Sequence, residues 1–500
     1  MRRDLLHDLW AVLAGALLVT AAVVAGTAIE RDDGTLHVGW PPLYATWDPH
    51  VGPGTPAAFA AAVAVVAYGP SLAARLPWRA LLGAAWGTAL AWTFSLALVD
   101  GWQRGIAGRL TTAYEYLRVI DRFHDIPAAL RDFTRHILIH SPGHWPAHVA
   151  GHPPGATLTF VLLDRIGLGG GAWAGVWCIT VGATAGVAVL IAVRALAGEA
   201  LARRAAPFLV LSPAAVWAGT SADGYFAAVA AWALALLALA VTGHRPRTAA
   251  LASGLLFGLL SQLSYGLMLF ALIAAAVLLL GRSRLRVLPY VAGGLVVVPL
   301  TFALLGFNWW EAYRLLVERY YEGAGGVRPY GYWVWANLAC TVLVAGPATV
   351  AGLRRAVASV ARPGRTAVPL PDPAGPTPGR LAPPIRPDPA GPTPDRRRPA
   401  PTLPDPAGPT PGRRRPAPTL PDPAGPTPGR RRLALLTLAA LAALLVADLS
   451  GMSKAETERI WLPFVMWLLP AGAPLPGPRR WLAAQAVLAL LLNHLLLTGW

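Results

Sequence analysis

Apolar runs of about 15 to 21 residues recur along most of the chain, broken by short polar segments and by one long polar stretch, Gly101 to Gly151. A helix needs about 20 residues to cross roughly 30 Å of hydrocarbon, and only structures that satisfy their own backbone hydrogen bonds survive there. The pattern predicts an all-α polytopic membrane protein with about 12 to 14 transmembrane helices. The strongest spans are Leu9 to Ile29, Pro56 to Ala74, Ala80 to Val99, Ala172 to Val193, Gly224 to Val241, Val287 to Gly306, Trp333 to Val350, Leu433 to Ala447, Ile460 to Ala473 and Trp481 to Leu497. The run Ala249 to Gly281 is too long for one crossing and is expected to turn near Ser264-Tyr265-Gly266. Pro154 to Gly167 and Pro207 to Trp217 are shorter and are expected to cross only in part. Within the long loop, Thr111 to Phe123 and Ile126 to Ile139 alternate apolar and charged positions as amphipathic helices do, and are expected to lie in the headgroup plane.

Composition agrees with this picture, since the 500 residues are 55% hydrophobic and 13% charged. The first apolar run follows Met1-Arg2-Arg3, is too long for a signal-peptide core and lacks a small-residue cleavage site, so it reads as a retained anchor. Cys178 and Cys340 lie in apolar spans and support neither a disulfide framework nor a thiolate metal site. The formal charge of +17 would suggest nucleic acid in a soluble protein. Its location argues otherwise: residues 353–432 hold fifteen arginines and five aspartates, a local balance of +10. That segment repeats Pro-Asp-Pro-Ala-Gly-Pro-Thr-Pro four times, from Pro371, Pro387, Pro404 and Pro421, and is expected to be a disordered cytoplasmic spacer with polyproline II character. The expected partner is therefore the lipid bilayer, with no nucleic acid.

Arginines also set the topology. If Arg75, Arg79, Arg203, Arg204, Arg245, Arg247, Arg282, Arg286, Arg479 and Arg480 face the cytoplasm, the opposite face receives 101–151, the approach to Asp223, the turn at Tyr265, the segment Phe307 to Tyr332, and Leu449 to Arg459. Nearly every polar cluster that the positive-inside rule leaves over lands on one side. The scheme has one parity fault, which requires either that Pro154 to Gly171 is a half-span or that Arg203 and Arg204 break the rule. Four regions follow: additional helices in 1–79, a membrane core in 80–352 with the loop 101–151, the linker 353–432, and C-terminal spans in 433–500.

His136, His140, His144, His148 and His152 stand four apart, but Pro142, Gly143, Pro146 and Pro153 prevent a continuous helix, so no metal site is expected from them. Other motifs are ordered along the same face. Tyr114-Glu115-Tyr116 precedes His152-Pro153-Pro154; Leu211-Ser212-Pro213 precedes Ser221-Ala222-Asp223; and Ser450-Gly451-Met452-Ser453-Lys454, Arg459 and Leu462-Pro463 come near the end. In these motifs the chain resembles the GT-C glycosyltransferases, in particular protein O-mannosyltransferases and lipid A aminoarabinose transferases. The resemblance covers roughly residues 80–350 and 433–475. Where those families carry an Asp-Glu pair this chain has Tyr114-Glu115, its basic residue before Pro-Pro is His152, and the spans before Ala80 are additional.

The resemblance implies sugar transfer, with inversion, from a polyprenyl-phosphate donor to an envelope glycan, lipid or protein on the external face of a bacterial plasma membrane. Such chemistry needs a carboxylate as general base at the acceptor hydroxyl, and cations or dipoles at the departing phosphate. Glu115 is the first choice for the base, with Asp100 and Asp121 as rivals. His152, Lys454, Arg459 and Arg328 are the phosphate candidates. Asp223 opens a span, where it serves either the helix start or the site. Tyr265 and Tyr330, with Trp309, Trp310, Tyr313, Tyr320 and Tyr321, are either an interfacial belt or platforms for a sugar ring. A divalent metal ion is left open as a cofactor. The alternatives are a transporter or lipid flippase, which would call for inward-facing charges and duplicated halves, and a catalytically silent scaffold.

Overall fold

The computed structural model describes residues 2–361 and 427–499. The Pro-Arg repeats, and with them the expected disordered spacer, lie outside the described residues. Its flanks do not: helix Pro347–Ala361 runs past residue 353 and helix Pro428–Leu449 starts before 433, so both edges of the 353–432 segment are helical.

The described chain is helical apart from one short antiparallel pair, Ala45–Trp47 with Leu496–Thr498, in the register Ala45 to Thr498. Among the described residues, seven helices are long and apolar enough to cross a membrane: Arg3–Asp32, Thr55–Arg75, Trp78–Asp100, Gly171–Ala197, Ala222–Val241, Arg284–Leu304 and Pro428–Leu449. That is fewer than the apolar runs predicted, because several runs are broken. The expected span Trp333 to Val350 is two helices, Tyr330–Ala345 and Pro347–Ala361, bent by 110°. Gly346 takes a left-handed φ of 78° and Pro347 follows it, a pairing that stops one helix and starts another. Ala249 to Gly281 turns where expected, between helix Pro246–Ser261 and the 3-10 turn Gly266–Leu269 that leads into Phe270–Leu280. Ile460 to Ala473 divides into Leu462–Leu468 and the turn Leu469–Gly472, which contains Pro470.

Ala222–Val241 is the central helix, with 83% of its span buried, whereas Arg3–Asp32 and Arg284–Leu304, at 17% and 11%, present most of their apolar surface outward. The difference fits helices in lipid, where an outer apolar face needs no protein cover. Packing at the periphery relies on small residues. A side chain at Gly254 would strike the Val291 carbonyl and one at Gly294 the Leu251 carbonyl, so Pro246–Ser261 and Arg284–Leu304 meet backbone to backbone.

Side-chain contacts gather the arginines at one end of the bundle. Arg203 donates to the carbonyls of Ala73 and Leu76, both 2.8 Å away; Arg204 Nε donates to Ala473 O at 2.7 Å; Arg432 donates to Leu196 O at 3.2 Å. Arg203 thus shares an end with Arg75. Helix Pro154–Arg165 has only 12 residues, about 18 Å of rise. Arg165 at its end donates to the carbonyls of Phe123 and His124 at 2.9 and 2.8 Å, so both ends of this helix lie by the loop 101–151, the arrangement that the half-span alternative calls for.

At the other end lies the loop 101–151. Its expected helices are shorter and more tightly wound: 3-10 turns Arg109–Thr111 and Tyr116–Phe123 stand in place of Thr111 to Phe123, and helix Ile126–Asp132 passes into the 3-10 turn Phe133–His136. The apolar stripe is covered by protein. Phe123 and Phe133 stack on Trp145 at 5.7 and 5.3 Å, Phe307 meets Phe133 edge-on at 5.6 Å, and Trp145 Nε1 donates to Phe133 O at 2.9 Å. With its own small core the loop can hold side chains in fixed positions instead of floating among headgroups.

Candidate functional site

Glu115 opens the turn Tyr116–Phe123 in an extended conformation, after a turn in which its N–H donates to Thr112 O at 3.2 Å. The neighbouring Tyr114 carbonyl accepts the backbone N–H of His148 at 3.0 Å, tying this strand to the short helix Ala147–Gly151. His148 Nδ1 consequently meets Glu115 Oε1 at 2.9 Å. The other carboxylate oxygen, Oε2, is buried and has no hydrogen-bond partner among the described residues. Burial alone would raise this carboxyl's pKa; His148 beside it, helped by Arg459 and His152, outweighs burial and holds it below the ordinary carboxylate value. Glu115 is therefore an anion with one lone-pair face unused, in a residue only 7% exposed.

Three more elements close around it. Arg459, in the short helix Thr457–Ile460, places Nη1 2.5 Å from Asp223 Oδ2 and Nη2 3.5 Å from both His148 Nε2 and Glu456 Oε2. Its pKa is raised further: Asp223, Glu456 and Glu115 override the cost of burying the guanidinium. Asp223 is not the helix cap, because Ser221 Oγ accepts the Asp223 N–H at 3.2 Å and fills that role. The Asp223 carboxylate is thereby free to face Arg459.

His152 is buried beside Tyr116, whose hydroxyl lies 3.1 Å from His152 Nδ1, and the same nitrogen lies 2.7 Å from the His148 carbonyl. A carbonyl only accepts, so Nδ1 carries the proton. Burial pushes this imidazole down to about 4, leaving it neutral at neutral pH. His152 does not supply the cation expected of it. Tyr116, wholly buried and stacked on Phe160 at 5.3 Å, packs directly against it.

Arg328 joins this cluster from the far side of Glu456, 3.6 Å from Oε1, and donates to the carbonyls of Lys454 at 2.9 Å and Leu36 at 3.0 Å. Lys454 reaches the same neighbourhood, but its ammonium donates to Gly325 O at 2.7 Å and lies over the Tyr321 ring at 5.5 Å, while its own N–H donates to the Tyr320 hydroxyl at 3.0 Å. The loop that carries it is strained, with Ala455 and Glu456 both left-handed at φ 72° and 62°. Glu458 in the same loop is fully buried, accepts the Tyr44 N–H at 2.9 Å, and is pushed up to about 7 by burial.

Three expected site residues stand elsewhere. Asp100 belongs to a separate cluster, accepting from His50 Nε2 at 2.8 Å and Arg109 Nη2 at 3.0 Å, with Arg104 Nε at 3.7 Å. Arg109 also donates to Thr498 O at 3.2 Å, so this carboxylate fastens chain segments together and both of its oxygens are engaged. Tyr265 is buried between Trp309 and Tyr313, at 5.0 and 5.6 Å, and its hydroxyl contacts no polar group among the described residues. Tyr330 donates to Leu449 O at 3.3 Å at the rim and does not enter the cluster.

Residue types alone did not single out His148, Tyr116 or Glu456. The signal for His148 lay in the four-residue histidine spacing, although His152 is extended and lies just beyond the helix Ala147–Gly151: the two histidines meet because both rings pack beside Tyr116, at 6.1 and 5.8 Å. Among the described residues, no group of three or more His, Cys, Asp or Glu side chains is gathered to hold a metal ion. Compared with protein-family models, with curated proteins and with solved structures, the chain matches none of them.

Proposed function

We propose that this cluster is the active site of a membrane glycosyltransferase of the GT-C kind, drawing its sugar from a polyprenyl-phosphate donor. The observation that carries the reading is the buried Glu115 carboxylate, ionised, held by His148 through one oxygen and, among the described residues, left without a hydrogen-bond partner on the other. A buried acceptor with spare capacity is costly to maintain, on the order of 1 to 3 kcal/mol. Such a cost is expected where a proton has to be taken up. In the proposed reaction the acceptor hydroxyl attacks the anomeric carbon, its proton passes to Glu115 Oε2, and the bond to the lipid phosphate breaks, with the electron pair leaving on the phosphate oxygen. Arg459 and Arg328, flanking Glu456 at 3.5 and 3.6 Å, supply the nearby positive charge for that departing anion.

The order of motifs along the chain supports this reading, as does their convergence on the end of the bundle opposite the arginine contacts. Purified protein in liposomes, supplied with labelled polyprenyl-phosphate sugars and envelope acceptors, is the test. Transfer by the wild type that falls about 10²- to 10⁴-fold in Glu115→Gln, with the fold retained, is the expected result. Undiminished transfer by Glu115→Gln removes the assignment of the base, and failure of the wild type with every donor removes the class.

A further inference from the structure

His148 is held in place through its backbone and its ring alike. Its N–H donates to Tyr114 O at 3.0 Å, one residue before Glu115, and its carbonyl accepts from His152 Nδ1 at 2.7 Å. The ring packs beside the buried Tyr116 ring, with centroids 6.1 Å apart. Of its two nitrogens, Nδ1 meets Glu115 Oε1 at 2.9 Å and Nε2 lies 3.5 Å from Arg459 Nη2. These neighbours assign the ring proton. An ionised carboxylate only accepts, so Nδ1 carries hydrogen; a guanidinium N–H only donates, so Nε2 turns its lone pair to Arg459. Both contacts call for the same tautomer, and a ring flipped about its stem would set carbon atoms against both partners.

We propose that His148 is the positioning residue of the sugar-transfer site: its Nδ1–H engages Glu115 Oε1, so that Oε2 is the oxygen offered to the acceptor hydroxyl, and its Nε2 is turned to Arg459. This role rests on Glu115 being the general base of that site. A carboxylate can present either oxygen by rotating about its last bond, and holding one of them removes that freedom where the proton is taken. His148 is not itself the base, because its lone pair faces a cation. The acceptor's proton stops on Oε2, and His148 keeps its own on Nδ1. The same contact keeps the base ionised. The groups that face Glu115 are His148 and His152, the adjacent Tyr116, Arg459 from Thr457–Ile460, Arg109 from the turn Arg109–Thr111, and Cys178 from the span Gly171–Ala197. Burial raises this carboxyl, and His148 opposes burial more than Arg459 or His152 does.

Substitutions can separate the two nitrogens. His148→Asn puts an amide nitrogen where Nδ1 stands and gives up the contact at Nε2; His148→Gln reaches the Nε2 position and leaves Glu115 Oε1 without its donor; His148→Leu supplies neither. Each variant is reconstituted in liposomes and its folding checked by thermal unfolding. The Glu115 carboxyl is then titrated by infrared spectroscopy, its band identified as the one absent from Glu115→Gln, and the pH profile of sugar transfer is recorded beside it. The carboxyl midpoint is expected to hold its wild-type value in His148→Asn and to rise by at least about one pH unit, a tenfold change in proton affinity, in His148→Gln and His148→Leu. The acid limb of transfer should move with it. A residue that only supports the fold would lower the unfolding midpoint and leave the carboxyl where it is. Equal carboxyl midpoints in the wild type and His148→Leu overturn the proposal, as does a His148→Asn protein that titrates like His148→Leu. Failure of the wild type to transfer from any donor removes the transferase reading instead, and the infrared titration then decides the His148 contact by itself.

Discussion

Glu115 and Asp100 are both carboxylates near the polar end of the bundle, each beside a histidine and near an arginine, yet they are built to different ends. Asp100 accepts from His50 and Arg109 through different oxygens, and through Arg109 it is linked to Thr498 near the C-terminal end of the chain. Among the described residues, Glu115 is engaged through one oxygen, and the other is buried without a hydrogen-bond partner. A carboxylate that closes a structure uses its full capacity, whereas one with capacity left over in a buried place suits a chemical step. Position in the sequence does not separate the two; hydrogen-bond satisfaction does.

Several substitutions break or sharpen that contrast. Removing Arg459 has the largest expected effect on stability. Arg459→Met strands Asp223 in a buried position and should lower unfolding free energy by about 3 to 5 kcal/mol, read as a drop in midpoint in detergent; a smaller loss with Asp223→Asn added would show that the stranded charge is the cause.

Acid should act next, through His152. Its imidazole is held down to about 4 in the folded protein against an ordinary 6.5, so below 6.5 the unfolded chain takes up a proton that the folded one refuses. Stability is full above 6.5 and declines as pH falls to about 4, by up to about 3 kcal/mol. His152→Gln should flatten that decline; an unchanged pH profile would deny the burial.

Asp100→Asn should cost about 1 to 3 kcal/mol of stability through its weakened arginine and histidine contacts. It should leave the rate of sugar transfer per folded molecule unchanged. A rate loss without a stability loss would reverse the roles assigned to the two carboxylates. Glu458 gives a pH effect of the opposite sense to His152, because its folded pKa is raised to about 7. The neutral form's advantage is full below the ordinary carboxylate range and fades as pH rises through 7, so Glu458→Gln should stabilise at pH near 8 and do nothing near 5, as measured by thermal unfolding.

Much of this architecture could be read from residue order. Apolar runs located seven of the ten strongest expected spans, and arginine placement sorted the two ends of the bundle, because both follow from transfer energies that act residue by residue. Breaks were harder to read: Gly346-Pro347 bends a run whose apolar content continues unbroken, and 3-10 turns replace periodic helices in the loop because Trp145 gathers Phe123 and Phe133 around it. The site was legible in kind more than in wiring. Glu115, Asp223 and Arg459 stood out as charges on a shared face, but that His148 would bridge Glu115 and Arg459 depends on a helix of five residues between two prolines. Whether Asp100 or Glu115 kept an unused oxygen was a question of tertiary contacts with residues such as His50 and Arg109.

The central claim is tested most directly by measuring, in one set of liposomes, the sugar-transfer rate and the unfolding midpoint of Glu115→Gln and Asp100→Asn against the wild type. The predicted result is a crossed pattern: a Glu115→Gln protein that is folded but slowed by at least about 10²-fold, and an Asp100→Asn protein that is less stable but turns over at the normal rate. Equal rates in the two variants, or a slow Asp100→Asn beside an active Glu115→Gln, would contradict it.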